Sequence, residues 1–301
     1  MDELGGALLA HRYGALLAIR AARHLELTTA TIVEIVYDAA GRQTSVLPDV
    51  WAHRELLTRL VVRNLKMRYQ RSALGFLWAL LNPLATIVIL VAVFHYIIRI
   101  GVDDYWAFLI SGYFAWVFVQ HTLAMSAGVI TEHSYMTRSL AFPAEILVLS
   151  SVLARLVEYM AELALVVIAV GIFHHDGVPM SVTLLPIIVA AHVILTVGIA
   201  MPIAAASVFF KDVQHGVPVA LMMLGYLSPV FYPISLVPER FHAVYLMNPV
   251  AAVLTLYHQT LYDGQFPSLA LLAWTATSSL IACAVGVALF RRQRALFAEI
   301  V

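Results

Sequence analysis

The chain has 301 residues, 62% of them hydrophobic and only 12% charged, and its 18 basic and 18 acidic side chains cancel. About a quarter of an average soluble domain is charged, so this composition excludes an ordinary water-soluble domain and indicates an integral membrane protein. The balanced charge gives no sign of nucleic acid or of an acidic partner, and the single Cys283 sits in an apolar run where a thiol is a small core residue.

Residues 1–50 are expected to form a small cytosolic extension. "ELGGALLAHRYGALLAIRAARHL" has mixed helical periodicity, while "TATIVEIVYDAAGRQTSVLP" alternates as strand, turn and strand. The first long apolar run begins near Phe76, too far along for a cleaved leader.

Residues 51–74 predict an amphipathic helix in the membrane interface. Six of the 18 cations, Arg54, Arg59, Arg63, Lys66, Arg68 and Arg71, fall between 54 and 71, where Glu55 is the only acid. Leu56, Leu57, Leu60, Val61, Leu65 and Tyr69 share one helical face, and Arg59, Arg63 and Lys66 the opposite one. Each cation near anionic head groups contributes about 1 kcal/mol. The segment runs through "RSALGFLWALLNP" into the first apolar span, so a force on it is expected to reach that span.

A crossing helix needs about 20 apolar residues. Spans are expected at about 76–98, 105–130, 146–173, 182–210, 213–233 and 268–290. Cations before residue 76 and Arg291, Arg292 and Arg294 after residue 290 belong on the inner side, which requires an even number of crossings. The fold class is therefore all-α: six transmembrane helices, with residues 239–262 as short re-entrant helices before the last span. Pro229, Pro233, Pro238 and Pro249 suit such broken helices. Both termini, including the tail 291–301, are expected in the cytosol.

The third span carries Arg155, Glu158 and Glu162, spaced i, i+3 and i+7 on one face. Intramembrane charge is expensive and suggests function. Two readings stay open: an ion pair that fixes helix packing near the inner leaflet, and a proton or substrate relay.

The chemistry of a self-sufficient enzyme is missing. Lysine occurs only at 66 and 211 and never after glycine, so the phosphate-cradling GxxxxGK[ST] loop cannot form and the chain does not hydrolyse ATP itself. Neither HExxH nor GxSxG occurs. "HHD" at 174–176 reads as a hydrated outer loop, since a metal site needs three or four converging ligands, and His95, His121 and His192 stand alone in their spans. No metal or cofactor is expected in this chain.

"LPDVWAHRELLTRLVVRNLKMRYQRSALGFLWALLNPLATIVILVAVF" resembles the opening segment of permease subunits of type-2 ABC exporters for polysaccharide, which move O-antigen, capsule, teichoic acid or galactan. The matching residues are Arg63, Arg68, Tyr69, Leu74, Gly75, Trp78 and Pro83. "TRSLAFPAEILVLSSV" (137–152), "SVFFKDVQHGVPVALMMLGYLSPVFYPISLVP" (207–238) and "MNPV" (247–250) follow in the family's order, with Lys211 where arginine is commoner. The resemblance covers residues 48–295 and leaves the first 47 without a counterpart.

It implies a homodimer in the bacterial cytoplasmic membrane, joined by two copies of a separate ATPase subunit that binds ATP and Mg. A lipid-linked glycan would pass along the dimer interface. Residues 131–143, with Glu132, His133, Tyr135, Arg138, Phe142 and Pro143, would couple to the ATPase; Arg59, Arg63, Lys66, Arg68 and Tyr69 would seat the interfacial helix on membrane lipid. Aromatic rings suit a glycan path because sugars stack on flat faces. Tyr105, Trp106, Tyr113, Phe114, Trp116, Phe118, Tyr226, Phe231 and Tyr232 are candidates, although aromatics at span ends also form interfacial belts. The alternative function is a type-2 ABC permease for a drug or other small amphiphile.

Overall fold

A computed structural model describes residues 50–70, 72–133, 143–173 and 177–300, and every regular element among them is helical. The expected strand–turn–strand at the N-terminus, the "HHD" cluster, and Arg71, Tyr135, Arg138 and Phe142 lie outside the described residues.

The first helix, α1 (Arg54–Tyr69), buries Leu60 and half-buries Leu56, Leu57, Val61 and Leu65. That face meets protein: it packs along the helix of the third span, α5 (Glu145–Phe173). Arg59 and Lys66 are exposed as expected, whereas Arg63 is drawn in, half-buried, beside His133. A short turn follows in which Gly75 takes φ +50°, the left-handed region that glycine enters without a Cβ clash.

Then comes α2 (Leu77–Val91), prolonged by a π-helical turn over Ala92–Ile98. The loop 99–104 closes tightly, with Arg99, Gly101 and Asp104 all at positive φ. The central helix is α3 (Tyr105–Ser126), buried along most of its length, and α4 (Val129–Glu132) opens the expected coupling segment. After α5, a 3-10 turn (Met180–Leu184) leads into α6 (Leu185–Phe209), and α7 (Asp212–Tyr226) follows. The short helices α8 (Glu239–Met247) and α9 (Pro249–Tyr257) break at Asn248, whose side chain accepts the Val250 N–H at 3.0 Å and caps α9. A π-helical turn (His258–Tyr262) completes them, and α10 (Leu269–Ile300) ends the described chain.

Among the described residues, four helical stretches are long and apolar enough to cross a membrane: Leu77–Ile98, Tyr105–Ser126, Met180–Phe209 and Leu269–Arg294. α5 has 29 residues, enough for about 43 Å, but bears Glu145, Arg155, Glu158 and Glu162. The fifth expected span is shorter than its apolar run. α7 has 15 residues, and 227–233 is not helical. Pro229 and Pro233 explain this, because the residue before a proline is pushed out of the α region. The sixth runs beyond 290, since no glycine or proline stops "RRQRALFAEI".

Two features centre the bundle. α9 is buried on all sides, from Val250 to Tyr257, between α3, α6 and α10. α6 and α10 cross at two glycines, where a Cβ on Gly286 would lie 1.9 Å from the carbonyl oxygen of Gly198. The backbones can approach this closely only because neither residue has a side chain.

Candidate functional site

The charged face of α5 lies fully inside the protein. Arg155, Glu158 and Glu162 are 2%, 1% and 0% exposed. The Arg155 guanidinium donates through Nη1 to Glu158 Oε2 and through Nη2 to Glu162 Oε1 at 2.9 Å. α1 completes the cluster: Arg68 Nη1 donates to Glu158 Oε2 at 2.6 Å, and the Tyr69 hydroxyl donates to Glu158 Oε1 at 2.7 Å. Burial and this bond to a carboxylate push the Tyr69 hydroxyl up, so it stays a proton donor.

The cluster is balanced but unevenly satisfied. Two guanidinium cations meet two carboxylates, which is how buried charge becomes tolerable. Glu158 accepts from three donors, whereas Glu162 Oε2 and Arg155 Nε are buried without a partner. Two sets of residues that the sequence presents separately, the end of the interfacial helix and the charges of the third span, are thus one site. A further bond ties the same helices, from Asn64 Nδ2 to Ser150 Oγ at 3.3 Å. The arrangement ties two helices together through buried, paired charges. Its physical capacity is to clamp α1 onto α5.

The borders of the expected coupling segment are tied to three more places. His133 lies 3.4 Å from Arg63 of α1. Gln214 of α7 donates to the Thr131 hydroxyl at 3.1 Å. Arg294, near the end of α10, donates to Glu145 at 3.1 Å, just after the buried Pro143. Glu132 is exposed. Sequence reasoning missed Gln214 and Glu145 and used Arg294 only to orient the chain; polar side chains bordering a cytosolic loop were the available signal. Among the described residues, no three His, Cys, Asp or Glu side chains gather as metal ligands.

The aromatic candidates separate into two groups. Tyr105, Phe114, Trp116 and Phe118 are at most 3% exposed and point into the protomer core, which corrects their assignment to a glycan path. The Tyr105 hydroxyl donates to the Phe231 carbonyl at 2.7 Å, Phe118 stacks on Tyr159, and Trp116 lies against Gly225. The cause is the position of α3, which packs against α2, α5, α6, α7 and α9, so that most of its rings pack inward.

The second group gathers near the other end of α3 from the charge cluster. Phe231 is its centre, stacked on Phe94 at 6.3 Å between centroids, with Tyr226 at 5.6 Å and Tyr113 at 6.4 Å. Tyr226 is exposed, Phe231, Tyr232 and Tyr113 are half-buried, and the Tyr245 hydroxyl donates to that of Tyr232 at 3.1 Å. Trp106 is exposed. Phe94 and Tyr245 join the patch without a sequence signal, because only folding brings α2 and α8 to the 227–233 loop.

Residues 55–262, well over half of the chain, match the family model described as ABC-2 type transporter. The chain belongs to the ABC-2 type transporter family. This ABC-2 type chain is similar to the O-antigen export system permease protein RfbA of Myxococcus xanthus, 28% identical over 253 residues, covering 83% of this chain and 97% of the relative. It is 25% identical over 248 residues to an O-antigen export system permease protein RfbA of Klebsiella pneumoniae, covering 82% of this chain and 95% of the relative. It is also 25% identical over 240 residues to the polysialic acid transport protein KpsM of Escherichia coli, at 78% and 92% coverage. ABC-2 membrane chains are the permease components of transporters, which agrees with an all-helical, multi-pass chain.

Proposed function

We propose that this chain is the transmembrane subunit of an exporter that carries a lipid-linked polysaccharide across the bacterial cytoplasmic membrane. Two copies assemble with two copies of a separate ATPase subunit, which binds ATP and Mg. The observation that carries the reading is near full-length similarity to permeases named for O-antigen export, 97% of one relative's length. Those names favour a polysaccharide over a drug or other small amphiphile.

The geometry supplies a rationale for the parts. The ATPase contacts residues 131–143, whose borders connect to α1 through His133, to α7 through Thr131 and to α10 through Glu145. Movement there is transmitted to several helices together. Trp106, Tyr113, Tyr226, Phe231 and Tyr232 are the rings left available to a sugar chain, and Arg59 and Lys66 remain exposed for anionic lipid. The buried charges act as structure, since three donors saturate Glu158. The span count is six with α5 and α7 included, and both termini are cytosolic.

Depletion of the protein tests the function. Polymer on its lipid carrier is expected to accumulate on the cytoplasmic side while surface glycan falls. Unchanged surface glycan overturns the proposal.

A further inference from the structure

Beside the aromatic patch lies a cavity of about 330 Å³, walled by residues 101–103, by the loop 229–235 and by residues 255–263. That volume is at the lower end of small-ligand sites and suits one sugar unit. Its walls are fixed. His258 forms the back, held through one ring nitrogen to Ser111 at 2.7 Å and through the other to the Pro229 carbonyl at 2.7 Å. The Tyr262 hydroxyl donates to the Asp103 carbonyl at 2.6 Å, so the 101–103 loop is fastened to the opposite wall.

The lining has a definite chemistry. Asp103 and Asp263 present carboxylates, and no lysine or arginine contributes. Both residues are exposed. Gln259 also lines the cavity, and its amide oxygen is buried with no hydrogen-bond partner. A buried polar atom left unpaired is costly, and a ligand hydroxyl would satisfy it. Acceptors that lack a cationic counterpart suit hydroxyl and amine donors, and they repel a carboxylate.

Continuity with the patch says how a ligand arrives. Pro229 and Pro233, both lining residues, flank Phe231, the ring at the centre of the aromatic group. We propose that this cavity is a subsite for one neutral or amino sugar of a passing glycan, and that Asp103 and Asp263 discriminate against anionic sugars. The inference rests on the glycan-export reading and narrows it.

The test uses the full chain with its ATPase subunits in nanodiscs and three trisaccharides: the N-acetylglucosamine trimer, the glucosamine trimer and trigalacturonate. Calorimetry is expected to find the first two bound and trigalacturonate at least tenfold weaker. Joint Asp103→Asn and Asp263→Asn substitution should bring the three to within about twofold, and Gln259→Leu should weaken the neutral trimer. No binding by any trimer, equal binding by all three, or a tenfold gap that survives the double substitution overturns the subsite. Such a failure beside lost surface glycan on depletion leaves the exporter standing. Unchanged surface glycan strikes the exporter reading instead, whatever the trimers do.

Discussion

Arg68 of α1 stands 2.6 Å from Glu158 of α5, 90 residues further along the chain. The contact joins a half-exposed cation to a carboxylate that is 1% exposed. Its partners differ in what their loss leaves behind.

Replacing Glu158 by alanine should cost about 3–5 kcal/mol, because Arg155 then stays buried with half its compensation gone. Arg68→Ala, which returns a partly exposed group to water, should cost about 1 kcal/mol. Thermal unfolding of the purified detergent-solubilised protein compares them. Equal losses would show that the buried charges of α5 do not depend on Glu158.

A methyl group at Gly286 meets the backbone of Gly198, which cannot yield as a side chain can. Gly286→Ala should therefore lose at least about 3 kcal/mol, the upper end of overpacking penalties. Gly216→Ala is the control, since nothing lies within 4 Å of its added Cβ. As an exposed helix residue it should gain about 0.5–1 kcal/mol. Stability of the two variants, measured in parallel, checks both signs.

The two aromatic groups should fail in different assays. Phe114→Ala removes a fully buried ring and should cost about 3–5 kcal/mol, visible as poor yield and early melting. Tyr226→Ala removes an exposed ring and should leave melting within about 0.5 kcal/mol of the parent, while surface polysaccharide falls several-fold. Normal export by a folded Tyr226→Ala protein would remove that ring from the path.

At the coupling border, Arg294→Glu sets a second acid against Glu145, which is only 4% exposed. Stimulation of the partner ATPase should drop several-fold, and adding Glu145→Arg should restore most of it. A rate unaltered in the single variant would show that the end of α10 takes no part in coupling.

Much of the fold was legible because hydropathy and length respond to the same constraint, the thickness of the bilayer. Residues 76–98 and 182–210 match helical stretches closely. The fifth span was over-read: its apolar run continues through Pro229 and Pro233, and hydropathy does not register that these prolines end a helix. Of the candidate site, Arg155, Glu158 and Glu162 could be grouped because their spacing is local. Their union with Arg68 and Tyr69 could not, since it depends on how two distant helices cross. The same limit explains the four inward-facing rings of α3: a helix with neighbours on most sides has no polar face to mark its orientation.

Gly75 changes how α1 and α2 relate. Nothing lies within 4 Å of where a Cβ would stand, and its left-handed backbone falls between the end of α1 at Tyr69 and the start of α2 at Leu77. The turn from α1 to the first span is stitched by short-range bonds, from the Ser72 N–H to the Tyr69 carbonyl and from the Gly75 N–H to the Ser72 hydroxyl, each 3.2 Å, while Arg68, Tyr69 and Asn64 fasten α1 to α5. The order of the parts along the chain is not their order as a machine: whatever tilts α1 is felt at once by α5, its neighbour in space, and reaches the first span both through the turn and through the packing of α2 on α3 and α5.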